Sequence, residues 1–175
     1  GGGTFQLLTQ NAALISARSG IDIQISHIGA RSDNKAYDIS SYKVSRNIFD
    51  VVQDPQVDIV VELVGGTTVA KELVVSALNH GKHVVTANKA LIAEHGPELF
   101  ELAQTQGLSI LFEAAVAGGI PILSALKEGF AANKLEKLVG IINGTGNYIL
   151  TEMRDKGRGF EEALADAQAL GYAEV

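Results

Sequence analysis

The chain has 175 residues, of which 46% are hydrophobic and 19% charged, and its mean hydropathy is +0.17. This composition supports a sizeable core and excludes an intrinsically disordered protein. The net charge of −6 argues against proteins that bind nucleic acid or anionic lipid, which need a basic surface, and the absence of cysteine excludes disulfides, thiol nucleophiles and zinc–thiolate sites.

The spacing of apolar residues predicts alternating helices and strands as far as residue 132. In chain order these elements are a helix over 5–15, a strand over 21–28, a loop over 31–41, a helix over 47–53, a strand over 57–64, a helix over 70–78, a strand over 83–86, a helix over 99–103, a strand over 109–112 and a helix over 120–130. Helices between short apolar strands are typical of βαβ units, so we expect an α/β fold with a parallel sheet.

The pattern changes near residue 133. In order, the following segments are predicted as a strand over 135–142, a turn over 143–145, a helix over 147–154, a linker over 156–159 and a helix over 160–170 that ends at Gly171. Roughly 40 residues are too few for an independent core. We therefore expect one domain over residues 1–132 and the beginning of a second over residues 133–175.

The most apolar window, residues 107–126, raises the question of a membrane span. It contains Glu113, Gly118, Gly119 and Pro121, so we interpret it as strand, loop and helix instead. The first residues have neither the basic nor the apolar region of a signal peptide. We expect a cytoplasmic protein with no membrane partner.

The triplet of Gly1, Gly2 and Gly3 runs directly into the first predicted helix. Glycines there let the backbone approach a phosphate, which the free N–H groups of the first helical turn attract. A flexible leader explains the triplet equally well, and both interpretations stay open.

The loop after the second strand of a doubly wound nucleotide fold meets the adenine ribose. Here the loop carries Arg31 and Lys35 where an NAD enzyme would carry an acidic residue. An arginine can form a bidentate pair with a 2′-phosphate, which favours NADP. A solvated surface arginine is the alternative.

Two further strand ends carry candidate cofactor groups on the same expected sheet edge. Gly65, Gly66 and Thr67 follow one strand, where the glycines allow close backbone approach, although an ordinary strand-to-helix turn with a threonine N-cap fits as well. Thr86 and Lys89 follow the next strand. A lysine there is well placed to polarise a carbonyl or hydroxyl group, and a mere surface lysine is disfavoured because a helix start prefers anions.

Glu113 lies inside an apolar run and needs a partner if it is buried. A bound cation or a hydrogen-bonded loop would each satisfy its carboxylate. The four histidines have no acidic or cysteine neighbour at metal-ligand spacing, and we interpret them as structural.

Several short segments, taken in order, resemble the homoserine dehydrogenase family. They are GGGT at 1–4, VELVGG at 61–66, VTANKAL at 85–91, FEAAVAGGIP at 112–121, INGTGNYI at 142–149 and GYAE at 171–174. The resemblance spans essentially the whole chain. It implies a Rossmann-like doubly wound parallel sheet, followed by the beginning of an α+β substrate and dimerisation domain.

The resemblance also implies an activity. The family interconverts homoserine and aspartate 4-semialdehyde with NADP or NAD, in the biosynthesis of threonine, methionine and isoleucine. A small-molecule substrate and a homodimer or higher homo-oligomer are implied, with no nucleic-acid partner. One alternative is a dehydrogenase of the aspartate-semialdehyde type, which is disfavoured because it needs a cysteine. The other is a dinucleotide-binding fragment without activity.

Carried over residue by residue, the resemblance assigns roles to individual positions. Thr86 and Lys89 would contact the nicotinamide end of the cofactor, with Lys89 also near the reacting oxygen as the catalytic residue. Gly171 would border the cofactor. The substrate-side positions are Gly144, Thr145, Tyr172 and Glu174, the last holding the substrate's ammonium group. The positions of a monovalent-cation loop, suited to sodium, are Glu113, Val116, Gly118 and Ile120.

The chain departs from the family pattern at both ends. The family's first strand should precede Gly1, and the lysine proposed as the family's proton donor should follow Glu174, where the chain has only Val175. We therefore expect a fragment that does not turn over by itself.

Overall fold

The computed structural model describes residues 1–32, 36–141 and 143–173 and divides into two compact units, Gly1–Gly118 and Gly119–Val175. This division falls earlier in the chain than the predicted boundary near residue 133. The assignment of a cofactor domain to residues 1–132 and a substrate domain to residues 133–175 stays a prediction. No helix in the described ranges is both long and apolar enough to cross a bilayer.

The first unit alternates helices with short strands. Its helices are α1 (Gly2–Gln10), α2 (Ala12–Ser19), α3 (Phe49–Gln53), α4 (Thr68–Asn79) and α5 (Lys89–Thr105). Its strands are β1 (His27–Gly29), β2 (Lys43–Ser45), β3 (Ile59–Glu62), β4 (His83–Thr86) and β5 (Ile110–Leu111), and a short 3-10 turn spans Glu113–Ala115.

Every strand pair in the described part of the first unit is parallel. β1 pairs with β2, and β4 lies between β3 and β5 in a three-stranded sheet. The register of β3 and β4 places Glu62 opposite Thr86, so the carboxyl ends of these strands lie side by side. Parallel strands alternating with helices confirm the predicted α/β fold.

One face of the three-stranded sheet carries the core of the first unit. Along β3, Val60 and Glu62 are buried whereas Ile59 and Val61 are exposed, as the two-residue period of a strand requires. The buried face packs with α4 and α5, whose fully or nearly fully buried residues are Ala70, Leu73, Val74, Ala77, Leu78, Leu91, Leu99 and Ala103. Burial on this scale, roughly 1.5–3 kcal/mol for each large apolar side chain, holds the sheet against the helices.

The strand predicted over 83–86 is confirmed residue for residue. Other predicted elements differ in extent from those observed. The helix over 5–15 is instead two helices that meet at Asn11, whose N–H bonds Leu7 while its carbonyl accepts from Ile15. Of the strand predicted over 21–28, residues 27 and 28 are paired in the described ranges, and β1 continues to Gly29 along β2.

The second unit consists mainly of helices, namely α6 (Ile122–Ser124) with a π-helical turn at Ala125–Gly129, α7 (Gly144–Lys156) and α8 (Phe160–Ala169). α7 and α8 pack through Ile149, Ala163 and Ala167. Arg158, in the connection between the two helices, pairs with the buried Glu152 of α7 and with Asp166 of α8. This connection therefore ties the two helices by charge as well as by packing.

The strand predicted over residues 135–142 is wrong for residues 135–141, which form no strand, and Ile142 lies outside the described residues. The alternation that suggested it leaves Leu138 at 69% and Val139 at 79% exposed. Apolar alternation produces a strand only where a neighbouring strand accepts its hydrogen bonds. None pairs with this segment in the described ranges.

The buried residue Asp54 joins the amino ends of β1, β2 and β4 through its carboxylate and its backbone carbonyl. The Asp54 side chain, 3% exposed, lies 2.8 Å from Lys43 Nζ and 2.8 Å from the His27 ring. The backbone carbonyl of Asp54 accepts a 2.7 Å bond from the buried Lys82. The Lys43 ammonium, the backbone N–H of Gln56 and the His27 ring lower the pKa of Asp54 to about 2.

The Asp54→Asn substitution tests this cluster. A carboxyl whose pKa is lowered on folding stabilises the protein above its ordinary pKa and loses that effect as the pH falls from about 4 to about 2. We expect the variant to have a lower free energy of unfolding than wild type at pH 7, and the difference to shrink across that window. Urea unfolding at a series of pH values measures it.

Asp58→Asn is the matched control, because Asp58 is an exposed aspartate beside the start of β3. Identical pH dependence of the two variants would contradict a special role for Asp54.

Candidate functional site at the carboxyl ends of the parallel strands

The carboxyl ends of β3 and β4 form the best-defined edge of the first unit. Gly65 and Gly66 follow β3 with φ values of 78° and 70°, a left-handed conformation that favours glycine. A Cβ added at either glycine would meet nothing within 4 Å, so the turn leaves space beside its backbone. Thr67, half-buried, precedes α4 but its side chain makes no cap bond.

A buried carboxylate lies beneath this turn. Glu62 is 0% exposed, and its Oε1 accepts bonds of 2.7 Å from the backbone N–H of Val64 and 3.4 Å from that of Gly65. Its Oε2 accepts a 2.6 Å bond from the Thr86 hydroxyl. Glu62 lies within the VELVGG motif, although no sequence signal predicts a role for it. The fully buried hydroxyl of Thr86 is occupied by this bond.

Lys89 is the first residue of α5 and its side chain is exposed. The preceding Asn88 caps the helix, because its Oδ1 accepts a 3.0 Å bond from Leu91 N. The Asn88 amide also donates a 2.6 Å bond to the carbonyl of Gly66. The structure thus brings Gly66, Thr86 and Lys89 to one sheet edge, with the lysine ammonium available to a ligand.

Arg31 follows the carboxyl end of β1 and is exposed, as expected for a residue that could contact a ribose phosphate. Lys35 lies outside the described residues. Arg46, which the sequence analysis did not single out, follows β2 and donates a 3.1 Å bond to the carbonyl of Ala30. This second arginine brings another positive charge to the start of the loop that carries Arg31.

Gly1 and Gly2 form the start of α1, where no described side chain makes a cap bond. The N–H groups of such a helix start attract anions. Gly2 has a second reason to be glycine, since a Cβ there would overlap the ring of Tyr37. That ring makes an edge contact with Phe5, with centroids 6.0 Å apart.

The predicted cation loop follows β5. Glu113 is half-buried and opens the 3-10 turn, whose last N–H bond runs from Val116 to the Glu113 carbonyl at 3.2 Å. Ala117 and Gly118 have φ values of 56° and 60°, a conformation that is uncommon for alanine. The carboxylate and carbonyl oxygens predicted as ligands in this loop fit a hard cation and do not fit zinc. Ile120 belongs to the second unit, and the ion site stays a prediction.

A cleft of about 500 Å³ in the second unit contains most of the predicted substrate residues. Gly144, Thr145 and Tyr172 line it. The Thr145 hydroxyl donates a bond to the carbonyl of Tyr172, and the ring of Tyr172 makes an edge contact with Tyr148 at 5.1 Å. Asn143 caps α7 by accepting a 2.7 Å bond from Gly146 N.

The same cleft holds three residues that the sequence analysis missed, Asn147, Tyr148 and Thr151. Together with Gly144 they are spaced to lie on one face of a helix. This spacing in the sequence could have predicted that they line one site. Gly171, at φ 74°, follows the C-cap residue Leu170 of α8 in the left-handed conformation that the predicted helix stop requires. Glu174, the predicted ammonium ligand, lies outside the described residues.

Comparison with known families gives two matches along the chain. Residues 1–113 match the model described as "Homoserine dehydrogenase, NAD binding domain", and residues 121–175 match the model described as "Homoserine dehydrogenase". The two matches meet close to the division between the compact units.

Individual proteins give the same result. The homoserine dehydrogenase of Pseudomonas aeruginosa is 56% identical over all 175 residues, and the crystal structure of one from Thiobacillus denitrificans is 52% identical, with a TM-score of 0.86. A hyperthermophilic archaeal homoserine dehydrogenase in complex with NADPH is 27% identical over 94% of this chain and 47% of its own, with a TM-score of 0.64. The chain spans about 40% of the length of the first two proteins.

The close approach of Tyr37 to α1 is tested by two alanine substitutions. Gly2→Ala places a methyl group against the Tyr37 ring, and we expect this overpacking to cost about 1–3 kcal/mol of stability. Gly3→Ala is the matched control, because its Cβ meets nothing and alanine favours a helix by up to about 1 kcal/mol. Thermal unfolding should move in opposite directions for the two variants, and a shared direction would contradict the packing.

Proposed function

Because this chain belongs to the homoserine dehydrogenase family, we propose that the protein interconverts homoserine and aspartate 4-semialdehyde with NADP or NAD. The observation that carries the proposal is the sheet edge where the Gly65–Gly66 turn and Lys89 are held together through Asn88. An open glycine turn next to an exposed lysine suits a dinucleotide whose reactive end meets a small polar substrate.

The first unit offers separate groups for two parts of such a cofactor, the pyrophosphate in its middle and the 2′-phosphate of the adenosine end. The uncapped start of α1 suits the pyrophosphate, since its N–H groups and the helix dipole favour negative charge. The exposed Arg31 suits a 2′-phosphate through a charge-assisted pair. A bound nicotinamide cofactor supplies the hydride-transfer chemistry itself.

Lys89 is proposed to act on the substrate oxygen. In the reduction direction its ammonium would donate a hydrogen bond to the aldehyde oxygen, which gains negative charge as a hydride adds to the carbonyl carbon. That charge is absent in the bound aldehyde, so the interaction strengthens in the transition state. The capped start of α5 restricts the position of the Lys89 backbone and hence the reach of its ammonium.

The α7 cleft is proposed to hold the amino-acid end of the substrate. The cleft offers hydrogen-bonding groups on Thr145, Asn147, Thr151 and Tyr172, and the rings of Tyr148 and Tyr172 add apolar surface. The homo-oligomer and the cytoplasmic location expected from the sequence stay predictions.

The role of Lys89 is tested by Lys89→Ala in the complete protein. Loss of a group that acts in the transition state lowers kcat, here by about 100-fold or more, with a small change in the KM of the cofactor. Lys71→Ala, which removes an ammonium paired with Glu98 at 2.6 Å on the surface of α4, should leave kcat within about 2-fold because exposed pairs contribute little. A raised cofactor KM with an unchanged kcat would instead assign Lys89 to cofactor binding alone.

A preference for NADP is tested by Arg31→Ala. A lost charge-assisted contact of about 1.5–3 kcal/mol should raise the KM of NADPH about 10- to 100-fold and leave that of NADH nearly unchanged. Arg18→Ala, which removes the arginine in the last turn of α2, is the control. Equal effects of Arg31→Ala on both cofactors would argue against the 2′-phosphate contact.

A further inference from the structure

Glu62 is a fully buried carboxylate at the candidate site with no part in the proposed reaction. A carboxylate in the interior of a protein is costly unless hydrogen bonds compensate its lost hydration. Here the two backbone N–H groups of the β3 turn and one hydroxyl of β4 supply these bonds. All three partners belong to the strand ends that carry the proposed cofactor groups.

The bonds of Glu62 continue beyond its immediate partners. Thr86 donates its hydroxyl proton to Glu62 and accepts a 3.0 Å bond on the same oxygen from Asn88 N. Asn88 in turn donates to the Gly66 carbonyl and accepts from Leu91 N in the first turn of α5. One unbroken series therefore runs from Glu62 to both the glycine turn and the helix that begins with Lys89.

The direction of the Thr86 hydroxyl bond in this series depends on a group that only accepts. Both oxygens of Glu62 act as acceptors, so the Thr86 hydroxyl points its proton toward Glu62 and turns its lone pairs to Asn88. In a Glu62→Gln variant the amide nitrogen faces either the N–H of Val64 or the Thr86 hydroxyl. With the nitrogen toward Val64, two N–H donors face each other. With the nitrogen toward Thr86, the hydroxyl proton of Thr86 loses its acceptor.

We propose that Glu62 is a positioning residue that holds the Gly65–Gly66 turn and Lys89 in one relative geometry for the reaction. This proposal rests on the proposed function, because its test measures the rate of that reaction. Glu62 itself is proposed to touch neither substrate nor cofactor. Displacement of reacting groups by about 1 Å costs roughly 100-fold in rate, so loss of this link should appear in catalysis as well as in stability.

The test compares Glu62→Gln, Thr86→Val and the double variant in the complete protein. Each single variant should lower kcat about 10- to 100-fold and weaken NADPH binding measured by fluorescence titration. The double variant should lose no more than the worse single variant, because both break the same link. Thr86→Val alone decides the outcome if Glu62→Gln does not fold.

Asp54→Asn is the matched control, because it replaces a buried hydrogen-bonded carboxylate at the opposite ends of the strands. It should lower the thermal midpoint while kcat at saturation, measured well below that midpoint, stays within about 2-fold of wild type. If Glu62→Gln and Thr86→Val behave in the same way as this control, Glu62 serves stability alone and the proposal fails.

Failure of the proposed function would look different. In that case the wild-type protein itself shows no homoserine-dependent reduction of NADP or NAD. NADPH binding still decides the positioning role, since Glu62→Gln should weaken it relative to Asp54→Asn. Wild-type protein that binds neither NADPH nor NADH would overturn both proposals.

Discussion

The parallel pairing of β3 with β4 is the constraint on which the candidate site depends. It places Glu62 directly opposite Thr86, so one buried carboxylate reaches the hydroxyl of the neighbouring strand and the N–H groups of its own turn. In an antiparallel pair the same two residues would be followed by turns at opposite ends of the strands. The parallel register therefore brings the glycine turn and the start of α5 together before any ligand is present.

Buried charge is used at both ends of the strands, with different partners. At the amino ends, Asp54 meets the Lys43 ammonium and the His27 ring, and Lys82 donates to backbone carbonyls. At the carboxyl ends, the donors to Glu62 among the described residues are two backbone N–H groups and one hydroxyl, all neutral. An ammonium paired with a carboxylate is unavailable to a ligand, whereas the Lys89 side chain at the start of α5 is exposed.

Sequence patterns were sufficient where a signal is local and strong. The four-residue strand β4 and the helix α8 follow from a short apolar run and from apolar residues at helical spacing, respectively. The pairing of His27 with Asp54 joins residues 27 positions apart, and no local pattern reports it. The apolar alternation after residue 133 was misleading because side-chain period alone does not supply a partner strand. The strand-end residues of the site were predictable from topology, whereas the bonds of Glu62 required coordinates.

The helices α1 and α2 contain no buried residue, whereas α4 buries five of its twelve. Local opening of a segment with so few buried contacts costs little free energy, so amides of α1 should exchange with solvent far sooner than those of β4. An anion that binds the start of α1 then stabilises the helix by RT ln(1 + [L]/Kd), where [L] is the free concentration of the anion and Kd is its dissociation constant. Cofactor affinity at this end of the protein is thereby linked to a local folding equilibrium, and its apparent value includes the work of ordering the helix.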